Sequence, residues 1–246
     1  MQLAPAQVEF FRANGYLAIP KLADEAELAS LCELYARILA DRRAFQVTFE
    51  GGGRLQQVMS PEVLYPELRE TESFRTARAL ACQLLGIEGG ELDGFFTHLI
   101  YKPMGEGRDT PWHQDEAYWD NAAFLAHSLS VWLPLDPVTV ESGCMQFVPG
   151  SHAGDVLPHR YQAGVQPLTL DGEVDLSAAV ACPLPAGGAT FHHCRTLHYT
   201  GPNTSGVERR AWSLAFHAKP ARRAAPVARP WLAGFLADTA KAALGS

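Results

Sequence analysis

A chain of 246 residues, 47% hydrophobic and 19% charged, is long enough for one large domain or two small ones, and its composition excludes intrinsic disorder. The formal net charge of −7 excludes a broad basic surface for nucleic acid or an acidic membrane, although local Lys and Arg can still hold a small anion. Cys32, Cys82, Cys144, Cys182 and Cys194 are odd in number and lack CxxC spacing. With no basic-then-apolar leader and no apolar run of about 18 residues, they lead us to expect a soluble cytoplasmic protein with reduced thiols.

Residues 4–13 predict a helix with Val8 and Phe11 on one side and Asn14-Gly15 as its stop. A short strand follows over 16–19. Asp24 and Glu27 predict a capping box for a second helix, whose Leu28, Leu31, Cys32, Tyr35, Ile38 and Leu39 keep amphipathic spacing. Gly51-Gly52-Gly53 has no following Lys and Ser/Thr at a helix start, so it predicts a loop, and a flap beside a site, rather than a phosphate cradle. A third helix is predicted over 73–85, ended by Gly86, and all three helices should cover the outside of a sheet.

From Gly94 the texture changes to short β-type runs at 95–101, 129–135, 145–148, 179–183, 189–193 and 210–218, punctuated by Gly and Pro. This predicts a mainly β fold with flanking helices, its core a double-stranded β-helix, the cupin-like jelly roll. Residues 154–175 predict an inserted polar loop over one mouth, and 231–244 a last helix after a Pro- and Arg-rich link. With no internal repeat or interdomain linker, residues 1–246 read as one domain: a helical part (about 1–93), the jelly roll (about 94–220) and the C-terminal helix (about 231–244).

Chemistry concentrates in a few phrases. In Thr110-Pro111-Trp112-His113-Gln114-Asp115, the imidazole and carboxylate stand two apart, so an extended backbone would send both to one side as ligands of one metal ion. Such a pair alone is weak. Two His and one carboxylate make the facial triad of non-haem Fe(II) oxygenases, and a second His is offered by Leu197-His198-Tyr199-Thr200-Gly201-Pro202-Asn203, with Arg209 eleven residues after His198. His192 and His193 are rivals, of which strand alternation allows at most one to face inward.

The WHQD at 112–115, ESGCMQFVPGSH at 141–152, LHYTGPN at 197–203 and ERR at 208–210, in this order, resemble the phytanoyl-CoA dioxygenase family of Fe(II)- and 2-oxoglutarate-dependent oxygenases, as does the opening FFRANGYLAIPKL. The resemblance implies iron held by His113, Asp115 and His198, with 2-oxoglutarate and O2 as co-substrates. It also implies hydroxylation of an unactivated C–H bond of a small molecule, with release of succinate and CO2. Arg209 becomes the anchor of the distal carboxylate of 2-oxoglutarate, by the planar fork of a guanidinium, with Thr200 adding a hydroxyl and Trp132 an aromatic wall. Because Asp115 is present, halogenation is not expected.

Arg210 would point to the other side of the strand, so register decides between the two, and the eleven-residue count that the resemblance implies selects Arg209. Arg209 shares a strand side with Ala211 and Ser213, whereas Arg210 lies with Trp212, Leu214 and Phe216. The bland alternative for Arg209 is a surface pair with Glu208. Tyr101 and Lys102 are expected near the pocket, Tyr118 and Trp119 as substrate walls, and Gly143 and His152 in turns. His127, His159 and His217 have no flanking motif. The substrate should be small or medium and partly apolar. The acidic net charge weighs against a CoA thioester, although Arg222, Arg223 and Arg229 leave that question open. The rival readings are a cupin-like metal enzyme that does not use 2-oxoglutarate and a non-catalytic ligand-binding jelly roll.

Overall fold

The computed structural model describes residues 1–49, 53–162 and 165–244. In chain order they form α1 (Pro5–Asn14), β1 (Tyr16–Ile19), α2 (Glu25–Ala40), β2 (Phe45–Phe49), β3 (Leu55–Met59), α3 (Glu72–Leu85), β4 (Leu92–Lys102), β5 (Thr110–His113), β6 (Phe124–Pro134) and β7 (Met145–Phe147). There follow β8 (His159–Gln162), β9 (Val165–Leu170), β10 (Val180–Cys182), β11 (Ala189–His193), β12 (His198–Thr200), β13 (Arg209–Arg222) and α4 (Leu232–Leu244).

Two antiparallel sheets face each other. The larger has the order β1-β11-β6-β13-β4-β3-β2 and the smaller β10-β7-β12-β5, with β8-β9 a separate hairpin. This mainly β architecture is the jelly roll expected from the strand spacing.

Period-two alternation divides the large sheet into two chemistries. Leu129, Val131 and Leu133 of β6, with Trp212, Leu214 and Phe216 of β13, join Tyr35 and Ile38 of α2 and Ala77 and Leu80 of α3 in one apolar core. Each large side chain buried there contributes about 1.5–3 kcal/mol. The intervening residues face the small sheet. On β13 they are Arg209, Ala211, Ser213, Ala215 and His217, paired across β6 with Trp132, Ser130 and Ser128 and across β4 with Lys102, Ile100, His98 and Phe96.

Local signals explain the helix ends. Gly15 closes α1 with φ +77°, its N–H donating to Phe11 O at 2.7 Å. A Cβ there would run into His152 and Thr196. The Gly15 carbonyl accepts from Thr196 Oγ1 at 2.7 Å and His193 N at 2.8 Å, which ties α1 to the loop before β12. Asp24 caps α2 by accepting from Glu27 N at 2.9 Å. The reciprocal half of that capping box does not form, because Glu27 Oε1 instead accepts from Ser73 N at 2.6 Å and links α2 to α3. Thr71 caps α3.

Two expectations need correction. The stretch 154–175 is not an open loop, since it contains the β8-β9 hairpin. The part expected to be helical carries β2 and β3, which extend the large sheet through β3-β4 pairing. Glu50, Gly51 and Gly52 of the expected flap lie outside the described residues. All five cysteines are free thiols. Among the described residues no helix is long and apolar enough to cross a membrane.

Candidate metal centre

β5 and β12 are neighbours in the small sheet, and His113 pairs directly with His198. β5 ends at His113, so Asp115 does not alternate with it along a strand. It opens a 3-10 turn over Asp115–Tyr118, and that turn swings its carboxylate toward both imidazoles. Asp115 Oδ1 lies 3.7 Å from His113 Nε2 and 3.4 Å from His198 Nε2. One ligand atom from each residue falls within 4.8 Å of the other two, a spacing that ligand bonds of about 2.0–2.2 Å to one ion can span.

Neighbouring groups orient each side chain of the triad. His113 Nδ1 meets Pro111 O at 2.7 Å and His198 Nδ1 meets Thr196 O at 2.9 Å. Each carbonyl needs a proton on Nδ1, which leaves the Nε2 lone pair for a metal. Burial holds His113 well below the ordinary imidazole value, and His198 adds to this. Burial alone would raise Asp115, but the neighbouring imidazoles of His198 and His192 outweigh it and keep the carboxyl well below the usual range. Ser130 Oγ donates to Asp115 Oδ2 at 2.5 Å and His192 Nε2 lies 3.2 Å from the same oxygen, so Oδ1 is the oxygen presented between the two ligand imidazoles.

As alternation allowed, only one of the rival histidines faces in. It is His192, whose ring centroid is 4.3 Å from that of His198, but it supports Asp115 rather than completing the triad. Gln114 pins the loop between the ligands. It donates through its side chain to Arg195 O at 2.7 Å, accepts from Leu157 N at 2.7 Å, and donates through its backbone N–H to His159 Nε2 at 3.2 Å.

A cavity of about 800 Å³ opens from the triad, lined by Trp132, Thr200 and Arg209 on one side and by Tyr118, Trp119, Phe96, His98 and His217 on the other. Tyr161 of β8 and Phe235 and Asp238 of α4 close its outer wall, with Tyr161 Oη donating to Asp238 Oδ2. The hairpin that replaced the expected loop therefore reaches the cavity through Tyr161.

Arg209 is 1% exposed. Its Nε, Nη1 and Nη2 have no hydrogen-bond partner among the described residues, and its guanidinium carbon lies 5.4 Å from the Trp132 ring centroid. Burial pulls it down to about 10, so it stays charged at neutral pH. The surface pairing with Glu208 does not occur, because Glu208 accepts from Tyr101 Oη at 2.8 Å instead. A buried, permanently charged fork with three unused donors is expensive unless an anion meets it. This makes it a fitting seat for a carboxylate, in the cavity that a metal ion at the triad would share.

Residues 11–211 match the family model for phytanoyl-CoA dioxygenase. The chain belongs to the phytanoyl-CoA dioxygenase family. Among solved structures, EvdO2 from Micromonospora carbonacea var. aurantiaca complexed with 2-oxoglutarate is similar with a TM-score of 0.83 at 38% identity, over 94% of this chain and 98% of that one. A probable alpha-ketoglutarate-dependent hypophosphite dioxygenase of Stutzerimonas stutzeri is 25% identical over 85% of this chain and 76% of its own length. The L-proline trans-4-hydroxylase of Streptomyces griseoviridis is 24% identical over 94% of this chain and 92% of its own. The phytanoyl-CoA dioxygenase family and these relatives are 2-oxoglutarate-dependent non-haem iron dioxygenases, and His113, Asp115 and His198 could hold iron here.

Two expectations within the family reading shift. Tyr101 does not line the cavity, and Lys102 sits behind Thr200 rather than on the wall. Arg223 and Arg229 are committed elsewhere. Buried Glu116, next to Asp115, meets Arg229 Nη2 at 2.8 Å and Arg223 Nη2 at 3.3 Å, and Arg223 also pairs with Asp155 at 2.7 Å. This hub fastens the segment leading to α4 onto the metal loop. Sequence reasoning missed Ser130 and His192 as supports of Asp115. Ser130 carried a usable signal, since it is two residues before Trp132 and shares its side of β6.

Proposed function

We propose that the whole chain works as one Fe(II)- and 2-oxoglutarate-dependent oxygenase domain that hydroxylates an unactivated C–H bond of a small or medium, partly apolar and uncharged metabolite, releasing succinate and CO2. The observation that carries this reading is the unpartnered guanidinium of Arg209, buried in the same cavity as the triad. A cupin-like enzyme without 2-oxoglutarate leaves that buried charge without a use.

His113, Asp115 and His198 would hold the iron on one face, leaving the other open to the cavity. Bound there with 2-oxoglutarate and O2, iron supplies an oxidant able to attack an unactivated C–H bond. Arg209 and Thr200 would hold the distal carboxylate of the co-substrate, with the Trp132 ring against its chain. Ser130 and His192 would keep Asp115 ionised and turned so that Oδ1 faces the metal. Tyr118, Trp119, Phe235 and Tyr161 would wall off bulk water and bring the substrate close to the open face.

The absence of negative charge on the substrate follows from the lining. Arg209 is the one Lys or Arg among the described lining residues, and the co-substrate would occupy it. Arg223 and Arg229 already pair with Glu116 and Asp155, so neither is spare for the phosphates of a CoA thioester. Five free thiols suit the reducing cytoplasm. The test is succinate release from Fe(II), 2-oxoglutarate and O2 across a panel of neutral metabolites and their acidic or CoA-linked counterparts. Substrate-stimulated succinate from neutral members supports the reading. Stimulation confined to acyl-CoAs or carboxylates contradicts the substrate class, and the absence of succinate throughout contradicts the activity.

A further inference from the structure

Beside Arg209, on the same face of the large sheet, lies a second buried cation. Lys102 pairs with Arg209 across β4 and β13, is 0% exposed and does not line the cavity. Its Nζ donates to Thr200 Oγ1 at 2.7 Å, Gly201 O at 2.7 Å and Thr200 O at 3.2 Å. All three acceptors are neutral oxygens. Two are carbonyls, which only accept, and the third is a hydroxyl that can accept from one side and donate to another.

The turn that carries Thr200 and Gly201 has its own fastening. Asn203 Nδ2 donates to Lys102 O at 3.2 Å, Pro103 O at 3.1 Å and Val207 O at 2.8 Å, and Asn203 N donates to Gly107 O at 2.7 Å. Gly143, at φ +81°, packs so closely that a Cβ would run into the Gly201 carbonyl. Holding this turn therefore does not call for an ammonium, and a buried lysine is a costly choice for packing alone.

We propose that Lys102 is a positioning residue for the co-substrate: by donating to Thr200 Oγ1 it leaves the Thr200 proton free to point into the cavity, as a second donor beside Arg209 for the distal carboxylate of 2-oxoglutarate. The inference rests on the reading of Arg209 as the carboxylate anchor. A neutral amine would spend both its protons on the carbonyls and take the Thr200 proton instead, so the arrangement requires the charged form. Burial above all, with Arg209 and Arg108, holds the ammonium well below the ordinary lysine value, and Asp109 favours its charge. The incoming carboxylate supplies the further negative charge that steadies it, so co-substrate and hydroxyl orientation support each other.

The test is a double-mutant cycle read by anaerobic calorimetry of 2-oxoglutarate into the Fe(II)-loaded protein, with Fe(II) affinity measured on the same samples. Thr200→Val and Lys102→Met should each weaken 2-oxoglutarate by about 10- to 100-fold, the range of one hydrogen bond to a charged group. The double variant should bind no more weakly than Thr200→Val, because Lys102 acts through that hydroxyl, and Fe(II) affinity should stay within about twofold. Losses that multiply, an unaffected Lys102→Met, or a parallel fall in Fe(II) affinity would overturn the inference. If Lys102→Met does not fold, Lys102→Gln takes its place. Its amide can still donate to Thr200 and should keep affinity within a few-fold of wild type, and a loss that multiplies with Thr200→Val overturns the idea equally. Arg209→Met is the separate arm. Wild-type affinity there would sink the carboxylate-anchor reading, whereas a large loss there with a failed cycle would sink only the role of Lys102.

Discussion

Replacing Arg209 with Met should move stability and co-substrate binding in opposite directions. Burial pulls this guanidinium from its ordinary value down to about 10, and each pKa unit corresponds to about 1.4 kcal/mol, so the fold disfavours its charged form by about 3 kcal/mol. The sign follows from linkage: the native state binds this proton less well than the unfolded chain, so the penalty is fully present at any pH below the folded value. A methionine keeps an apolar stem against Trp132 and removes the charge. Allowing for imperfect packing, the metal-free protein should gain about 1–3 kcal/mol, a rise of about 2–10 °C in Tm for a chain of this size. The same change removes one partner of a buried charge pair in the complex, which costs about 2–5 kcal/mol, or about 30- to 5,000-fold in 2-oxoglutarate affinity. Thermal melts with and without 2-oxoglutarate, on metal-free and Fe(II)-loaded samples, read both effects. A lower metal-free Tm together with an intact 2-oxoglutarate-induced shift would refute the reasoning.

Three further outcomes are expected. Glu116→Ala takes the carboxylate partner from buried Arg229 and leaves Arg223 with Asp155 alone; it should cost about 3–5 kcal/mol in urea unfolding, and a loss below about 1 kcal/mol would mean that the hub does not anchor the segment before α4. Ser130→Ala removes one of the two groups that hold Asp115 Oδ2 and should weaken Fe(II) by about 10- to 100-fold with an unchanged far-UV spectrum; wild-type metal affinity would count against the positioning role. Burial pushes His98 down to about 4 from 6.5, so the unfolded chain binds more protons in that window and stability should fall as pH drops from about 6.5 to about 4. His98→Gln should flatten that part of the profile, and an unchanged slope would contradict the assignment.

Much of the centre was legible because it depends on short spacing and on alternation. The two-apart His113 and Asp115, the limit of one inward residue between His192 and His193, and the side taken by Arg209 follow from periods that the chain carries locally. The geometric reason for Asp115 was nevertheless different, since a 3-10 turn rather than a continuing strand delivers it. Lys102 was expected at the pocket because it precedes the metal loop in sequence. Its actual position is set by the pairing of β4 with β13, a contact between residues over a hundred positions apart. The Glu116 hub is hidden for the same reason: nothing near Glu116 announces Arg223 or Arg229. β2, with a triple Gly at its exit, and the hairpin at 159–170, rich in polar residues, lack the apolar runs that marked the other strands, and their order comes from neighbours in space.

The most direct measurement is an anaerobic titration of the metal-free protein with Fe(II) and then 2-oxoglutarate, followed by visible absorption and calorimetry. One Fe(II) and one 2-oxoglutarate should bind per chain, with a weak visible charge-transfer band that is absent in His198→Ala and shifted to much higher 2-oxoglutarate in Arg209→Met. Iron that binds equally well after His113, Asp115 and His198 are replaced, or 2-oxoglutarate that binds without any band, would contradict the account.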